Sequence, residues 1–378
     1  MTRAKRADVI VVGAGIVGAA CARALAREGR QVTVLDASFA AGGTTAAGMG
    51  HLVVMDDSPD QLALTALSLE LWRELVTTLP RAVEFDACGT IWVAENAEQL
   101  DAVHAKQGIY RSAGIESEIL DATRLAAIEP NLRHGLAGGL RVPGDAVVYP
   151  PRAALALLDD ARVHGAVLHE RRSVDLIIDH AVRCGSETLE ADIVINAAGA
   201  ASARLTPDLP IVPRKGHLAI TDRYEGFCRH QLVELGYLTS AHVMTSESVA
   251  FNVQPRSTGQ VLIGSSRELV GWDASTNRHV LARMLERAVA FMPALARISI
   301  VRTWTGFRPA TPDKLPLIGR WLPTGGLYIA AGHEGLGITT SLGTARLLVD
   351  LILGRPPAIA VEPFSPMRVL APSLAVVP

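Results

Sequence analysis

The 378-residue sequence holds only four cysteines, Cys21, Cys88, Cys184 and Cys228, and no two stand at CxxC spacing. That excludes the cysteine ladders of iron–sulfur and zinc sites. So sparse a set fits a reducing, cytoplasmic setting better than a disulfide framework. Lysine is scarce as well. Lys5, Lys106, Lys215 and Lys314 are four of 36 basic residues, which 38 acidic residues offset to a net charge of −2. That balance gives no electrostatic footprint for nucleic acid or for direct binding to an anionic membrane. Long apolar runs are missing too. The uncharged run at 9–22 has 14 residues, short of the roughly 18 that span a bilayer. It follows Arg3, Lys5 and Arg6 as a secretory leader would, yet Asp8 interrupts the entry and Gly13, Gly15 and Gly18 punctuate it. Disorder is excluded by a hydrophobic content of 49%. At roughly 150 residues per domain, the length suggests two or three folding units.

Along the chain, a β-branched run at 7–12 predicts a buried strand, 13–18 a glycine turn, 16–28 a helix ended by Gly29, and 31–35 a second strand closed by Asp36. Together they form a βαβ opening. A helix starts near Asp57 and Ser58, with Pro59 in its first turn and Leu62, Leu69, Trp72, Leu75 and Leu79 along one face. Residues 80–145 mix short strands, such as 89–94, with small helices. Pro150 and Pro151 open a helix that ends before Gly165. Residues 167–178 read as a strand pair and 193–196 as a buried strand. Strands recur at 217–221, 248–253 and 260–265, followed by a polar helix at 277–291. The run closes with a strand at 327–330, a loop at 332–337 and a helix at 338–353. Six prolines among residues 355–378 exclude a regular helix there; that tail is a strap over the body or a docking segment.

The chemistry concentrates in Gly13-Ala14-Gly15-Ile16-Val17-Gly18. Following a strand and opening a helix, Gly13 permits the tight turn, Gly15 admits a pyrophosphate to the backbone, and Gly18 lets helix and strand approach closely. The helix N-terminus then offers free N–H groups to the anion. Asp36, 18 positions beyond Gly18, stands where a ribose-binding acid belongs and disfavours a 2′-phosphate. The fingerprint alone fits either NAD or FAD. A second small-residue stretch, Gly42 to Gly50, suits a cofactor lying extended with a flat ring.

These pieces resemble the D-amino-acid oxidase superfamily of flavoproteins, in its glycine oxidase, sarcosine oxidase and D-amino-acid dehydrogenase branch. The resemblance covers residues 7 to 355 and is carried by GAGIVG (13–18), GTTAAGMG (43–50), INAAG (195–199), PRKG (213–216), GFRPATPDKLPLIG (306–319) and AAGHEGLGITTSLG (330–343). Residues 46–59 and 332–340 look most like the FAD-bearing β subunit of D-hydroxyproline dehydrogenases, with opine dehydrogenase and hydrogen cyanide synthase subunits close in pattern. The fold implied is α/β, α+β overall: a Rossmann-like FAD-binding domain (1–80, 145–210 and 310–360) interleaved with an antiparallel-sheet substrate domain (81–144 and 211–309), then the Pro-rich tail at 361–378.

By resemblance, non-covalent FAD contacts Gly13, Gly15, Ile16, Gly18, Asp36, Ala37, Thr44, Thr45, Gly48, Met49 and Gly199, with Val174 reaching the adenine end through its backbone. His333, Glu334, Gly335, Leu336, Gly337, Ile338 and Thr339 line the flavin. No cysteine lies near Thr311-Pro312-Asp313, where some relatives tether FAD. Arg308 matches the arginine that holds the substrate carboxylate. Glu334 either engages the substrate or is a solvated acid, and His51 and Tyr237 are either pocket residues or packing.

The activity implied is FAD-dependent oxidation of the C–N bond of a D-amino or cyclic imino acid, like D-hydroxyproline, sarcosine or glycine, by hydride transfer to flavin N5, as a dehydrogenase rather than an oxidase. The alternative is an FAD subunit of a heteromeric dehydrogenase. Partner subunits would then carry the further redox centres and any peripheral membrane contact. A nicotinamide dehydrogenase and a nucleotide sensor are the rival classes.

Overall fold

The computed structural model describes residues 7–236, 247–321 and 325–369. One sheet grows around the first strand, Ala7–Val12, which pairs in parallel with Val32–Leu35 on one side and Glu187–Asn196 on the other. Val167–His169 extends the sheet beyond Val32–Leu35, and Leu327–Ala331 extends it beyond Glu187–Asn196, both in parallel. Leu317–Arg320 closes that edge antiparallel. The near-continuous apolar run of the first strand follows from cover on both faces. Val9 and Val11 join the cluster that holds Leu25, Leu157 and Leu348, whereas Ile10 and Val12 join Val182, Ile211 and Ile329 on the other side.

Three helices cover the first face: Ile16–Arg27, Pro150–Val163 and Gly337–Leu353, with Pro59–Val76 packed behind the last. Ile16–Arg27 sits close because its buried side chains are mostly small, Ala19, Ala20 and Ala22 among them. Pro59–Val76 begins where Ser58 predicts, the hydroxyl accepting from the Gln61 N–H at 3.1 Å. No described helix is long and apolar enough to cross a membrane.

The second sheet runs Ile300–Ala310, Val212–Thr221, Val261–Glu268, Glu247–Pro255, Gln231–Glu234, Thr90–Ala94, Gly138–Val142, Glu118–Asp121. It is antiparallel except between Gln231–Glu234 and Thr90–Ala94. Helix Arg278–Phe291, capped by the Asn277 side-chain oxygen Oδ1, packs on it, with Phe291 stacked on Phe251 at 4.3 Å.

Two sequence readings need correction. Residues 167–178 are not a strand pair: Val167–His169 joins the parallel sheet, while Leu176–Ile178 pairs with Ala181–Cys184. The cause is local. The Arg171 and Arg172 N–H groups donate to the Ser38 and Asp36 carbonyls, both at 2.7 Å, and the Glu170 carboxylate accepts from the Ala40 N–H. The chain is thereby laid over the end of the second strand and cannot turn back on itself. Residues 80–145 also contain a 16-residue helix, Ala97–Ser112, not just small ones. Its buried positions are Val103, Lys106 and Tyr110, and a lysine among them erases the apolar stripe from the sequence. Lys106 is accommodated by an ion pair with Asp56 and by lying over the Trp92 ring.

Candidate active site

The glycine turn closes onto the end of Glu187–Asn196. A Cβ on Gly13, whose φ is +107°, would stand 2.5 Å from the Ala197 carbonyl oxygen. A Cβ on Gly18 would stand 1.9 Å from the Gly13 oxygen, so Gly18 serves helix–strand contact. Gly15 is the N-cap of Ile16–Arg27 and provides no side-chain cap, which leaves the helix end facing the cavity. The Ile16 N–H donates to Thr45 Oγ1 at 2.9 Å.

That bond begins a set of stitches through the 43–50 stretch, whose first half is the short helix Gly43–Ala47. The Thr44 hydroxyl donates to the Phe307 carbonyl at 2.6 Å, Trp304 Nε1 to the Ala47 carbonyl at 3.3 Å, and Gln254 Nε2 to the Met49 carbonyl at 2.8 Å. The small-residue stretch thus ties the glycine fingerprint to the antiparallel sheet. Asp36 is pinned by the Ala14 and Ser38 N–H groups, each at 2.8 Å. Those two bonds leave lone pairs of its carboxylate available to hydroxyl donors.

Between the two sheets lies a cavity of about 610 Å³. It brings together Gly13, Gly15, Ile16, Asp36, Ala37, Thr44, Thr45, Gly48, Met49, Val174 and Gly199 with Arg308, His51, His333, Glu334, Gly335, Gly337 and Ile338. Leu336 lines a smaller adjoining chamber instead. Thr339 is fully buried behind the wall, its hydroxyl donating to the His51 carbonyl at 2.8 Å and accepting from the Val53 N–H at 3.3 Å. Tyr237 lies outside the described residues. Sequence reasoning missed Arg172, Ser173 and Asp175 beside Val174, and Asn252 and Ser265 on the floor. It also missed Arg214 and Arg267, which line the smaller chamber. Arg214 sat unread inside the quoted PRKG motif.

The electrostatics divide the cavity. At one end a helix N-terminus and Asp36 offer an anion site and a hydroxyl acceptor. At the other, burial holds the His333 imidazole down at about 3. Burial likewise lowers His51 to about 4; a Gln254 hydrogen bond works against it, and the Arg308 charge works with it. Both rings are neutral at ordinary pH. Burial alone would raise the Glu334 carboxyl, but the charges of Arg267, Arg308 and Arg214 outweigh it and hold the group below the usual glutamate range. Glu334 Oε1 lies 3.4 Å from Arg214 Nη1 and 3.6 Å from Arg267 Nε. Its backbone is left-handed, at φ +46°, a conformation that costs a non-glycine residue energy and is held by its surroundings. Arg308 is laid across Gly216, where a Cβ would stand 2.3 Å from Nη1, and Nη1 donates to the Ser266 carbonyl at 3.0 Å.

These features fit FAD. Gly15 leaves room for a pyrophosphate at the helix end, since even its own Cβ would come within 3.1 Å of Thr45 Oγ1. Gly48 and Ile338, both in the cavity wall, are so close that a Cβ on Gly48 would overlap Ile338 Cδ1 at 2.8 Å. The uncapped N-terminus of Gly337–Leu353 faces the same slot.

Comparison with known proteins agrees. The profile of the DAO family, FAD dependent oxidoreductase, matches residues 8–351. The hydrogen cyanide synthase subunit HcnC of Pseudomonas aeruginosa is 28% identical, with 96% of each chain covered. The glycine oxidase of Geobacillus kaustophilus is also 28% identical, over 96% of this chain and 97% of its own. A crystal structure of that oxidase superposes with a TM-score of 0.87 over 96% of this chain and 99% of the other, at 27% identity. The L-proline dehydrogenase of P. horikoshii, at 24% identity over 96% of this chain and 98% of its own, shares the fold with a TM-score of 0.86. The chain belongs to the DAO family and is an FAD-dependent oxidoreductase.

Proposed function

We propose that this chain oxidises the carbon–nitrogen bond of an amino or imino acid, of the D-hydroxyproline, sarcosine or glycine kind, with the substrate carboxylate held by Arg308. The position of Arg308 carries the reading. It is a guanidinium in the wall of a largely apolar cavity, beside the loop that leads into the Gly337–Leu353 N-terminus. A planar fork of donors suits a carboxylate and fixes its plane.

FAD, held non-covalently by residues drawn from 1–80, 145–210 and 310–360, supplies the two-electron acceptor. The chain's own residues orient and desolvate the substrate. His51 and His333, both far below the usual histidine range, are weak bases, so binding of the amine in its neutral form matters more than proton removal by the protein. The N-terminus of Gly337–Leu353 favours negative charge at the end of the slot it faces. Residues 81–144 and 211–309 cover the substrate.

Arg308→Met tests the reading. It is expected to raise KM by about 100-fold or more, a charge-assisted pair being removed, while FAD stays bound. Unchanged steady-state kinetics would reject the assignment.

A second reading has support of its own. A relative carries the name of a synthase subunit, and the edge strand Ile300–Ala310 exposes Ile300 and Val301, with Val212 exposed on the neighbouring strand. In that reading the chain is the FAD subunit of a heteromeric dehydrogenase whose partners carry the onward redox centres. Size-exclusion chromatography of the chain with and without its neighbouring gene products tests it; no shift in elution counts against it.

A further inference from the structure

Residues 362–369 lie as a strap across the edge strand Leu317–Arg320, in two short helical turns, Glu362–Phe364 and Pro366–Val369. Phe364 enters the core on one face of the parallel sheet, and Val369 packs against the core on the other. Beside these anchors, Arg368 reaches the loop between Ile300–Ala310 and Leu317–Arg320. It makes five hydrogen bonds, as many as a guanidinium has N–H donors. Nε donates to Asp313 Oδ2 at 2.7 Å and Nη2 to Asp313 Oδ1 at 3.1 Å. Nη2 also donates to the Leu315 carbonyl at 2.8 Å. Nη1 donates to the Pro316 and Ser365 carbonyls at 3.1 and 3.2 Å. An exposed ion pair holds little in place. This arginine is 17% exposed, and its bidentate grip fixes the plane of the carboxylate it holds.

The groups that Arg368 holds are the ones that close the loop on itself. Asp313 Oδ1 also accepts from the Leu315 N–H at 3.1 Å, and the Thr311 hydroxyl donates to the Leu315 carbonyl at 2.9 Å. Between them sits Lys314, left-handed at φ +64°. Lys314 lines the smaller chamber, about 80 Å³, which shares His333, Glu334 and Gly335 with the main cavity. The same loop meets the wall from a second direction. Thr311 lies so near Gly332 that a Cβ there would stand 2.6 Å from Thr311 Cγ2. Gly332 leads into His333 and Glu334, and the Glu334 N–H donates to the carbonyl of Pro309, the residue after Arg308, at 2.9 Å.

We propose that Arg368 is a positioning residue for substrate binding. From the strap it holds loop 311–316 against loop 332–335, and so fixes Lys314 and the wall that the two chambers share. Arg368 itself lines neither cavity. The inference rests on the reading of Arg308 given above for where the substrate lies.

The test uses the FAD-loaded enzyme and propionate, an unreactive carboxylate, with perturbation of the flavin visible spectrum as the readout. Arg368→Met is expected to weaken propionate binding about tenfold, several charge-assisted bonds that shape the wall being lost. Arg368→Lys keeps the charge but has three donors and no planar fork, so its affinity should fall between. A lower melting temperature with propionate affinity unchanged below the transition would make Arg368 a stability residue alone and overturn the proposal. If the methionine variant does not fold, the lysine variant decides: affinity equal to that of the unaltered enzyme overturns the proposal, and a loss of about threefold or more supports it. Arg308→Met in the same titration separates the two readings. Binding lost in Arg308→Met but unchanged in Arg368→Met overturns the positioning role and leaves the anchor standing. Binding unchanged in Arg308→Met rejects the anchor, and a tenfold loss in Arg368→Met still supports the positioning role.

Discussion

Arg214 and Arg308 stand directly opposite each other on neighbouring antiparallel strands, Val212–Thr221 and Ile300–Ala310. Like charges in that position destabilise a sheet. The sheet tolerates them because the loop after Leu327–Ala331 brings Glu334 up against the pair, with Arg267 from the next strand completing the cluster. Glu334 has a left-handed backbone, φ +46°, and its Oε2 accepts from the Gly335 N–H at 2.7 Å.

Glu334→Gln should therefore lower stability. Removing one partner of a buried ion cluster costs about 3 kcal/mol, and a urea midpoint at neutral pH reads it. The native-state pKa of Glu334 is depressed, so its contribution is present above the ordinary glutamate pKa and is lost as pH falls through the lower native value. The gap between variant and unaltered protein should close in acid. A variant as stable as the unaltered protein at neutral pH would remove Glu334 from its bridging role.

Asp145 behaves in the opposite sense. It is 1% exposed, accepts from the Val54 N–H at 3.1 Å, and burial raises it to about 7. Its contribution is fully present below the ordinary aspartate pKa and is lost as pH rises through about 7. Asp145→Asn keeps the acceptor without the charge. Relative to the unaltered protein, the variant should gain about 1–3 kcal/mol between pH 5 and pH 8.5. Parallel pH–stability curves would contradict this.

His333 lies buried with Nε2 2.9 Å from Thr344 Oγ1 and is held down at about 3. The unfolded chain binds a proton there below about 6.5, which the native state refuses. Stability is lost as pH falls from that point. His333→Gln should lose less stability than the unaltered protein on going from about pH 7 to about pH 5. Carbon-13 shifts of the His51 and His333 rings should show no titration across that interval; a titration midpoint near 6.5 would refute their burial as neutral rings.

Gly15→Ala isolates the cofactor cradle. Gly15 lines the cavity with an ordinary extended backbone, φ −70°, so alanine strains no backbone there, yet the added carbon comes within 3.1 Å of Thr45 Oγ1. FAD affinity should fall by about 10- to 100-fold, the cost of crowding a helix-terminus anion site, with the apoprotein far-UV spectrum unchanged. Fluorescence titration of the apoprotein with FAD measures it, and unaltered affinity would place the pyrophosphate elsewhere.

The glycine fingerprint, Asp36 and the helix starts at Ser58 and Asn277 were legible because each is a local device: a turn, an acid at fixed spacing, a cap. The helix Ala97–Ser112 was hidden by Lys106, whose burial depends on Asp56 and Trp92, both distant in sequence. The segment after Val167–His169 was misread because its partners, Asp36, Ser38 and Ala40, come from a different strand end. The Arg214–Glu334–Arg267 cluster escaped for a related reason. Each member sits in a separate element, and only strand register and the loop after Leu327–Ala331 bring the three together.

The parallel sheet also fixes when the cofactor site can first exist. The strand that carries the fingerprint, Ala7–Val12, gains its neighbour on one side only with Glu187–Asn196, and that neighbour is flanked in turn by Leu327–Ala331. The Gly337–Leu353 N-terminus that closes the slot comes later still. At roughly 5–20 residues per second of synthesis, the dinucleotide turn spends many seconds outside the ribosome before its walls are made. A nascent chain stalled before residue 327 therefore lacks walls that the complete slot needs.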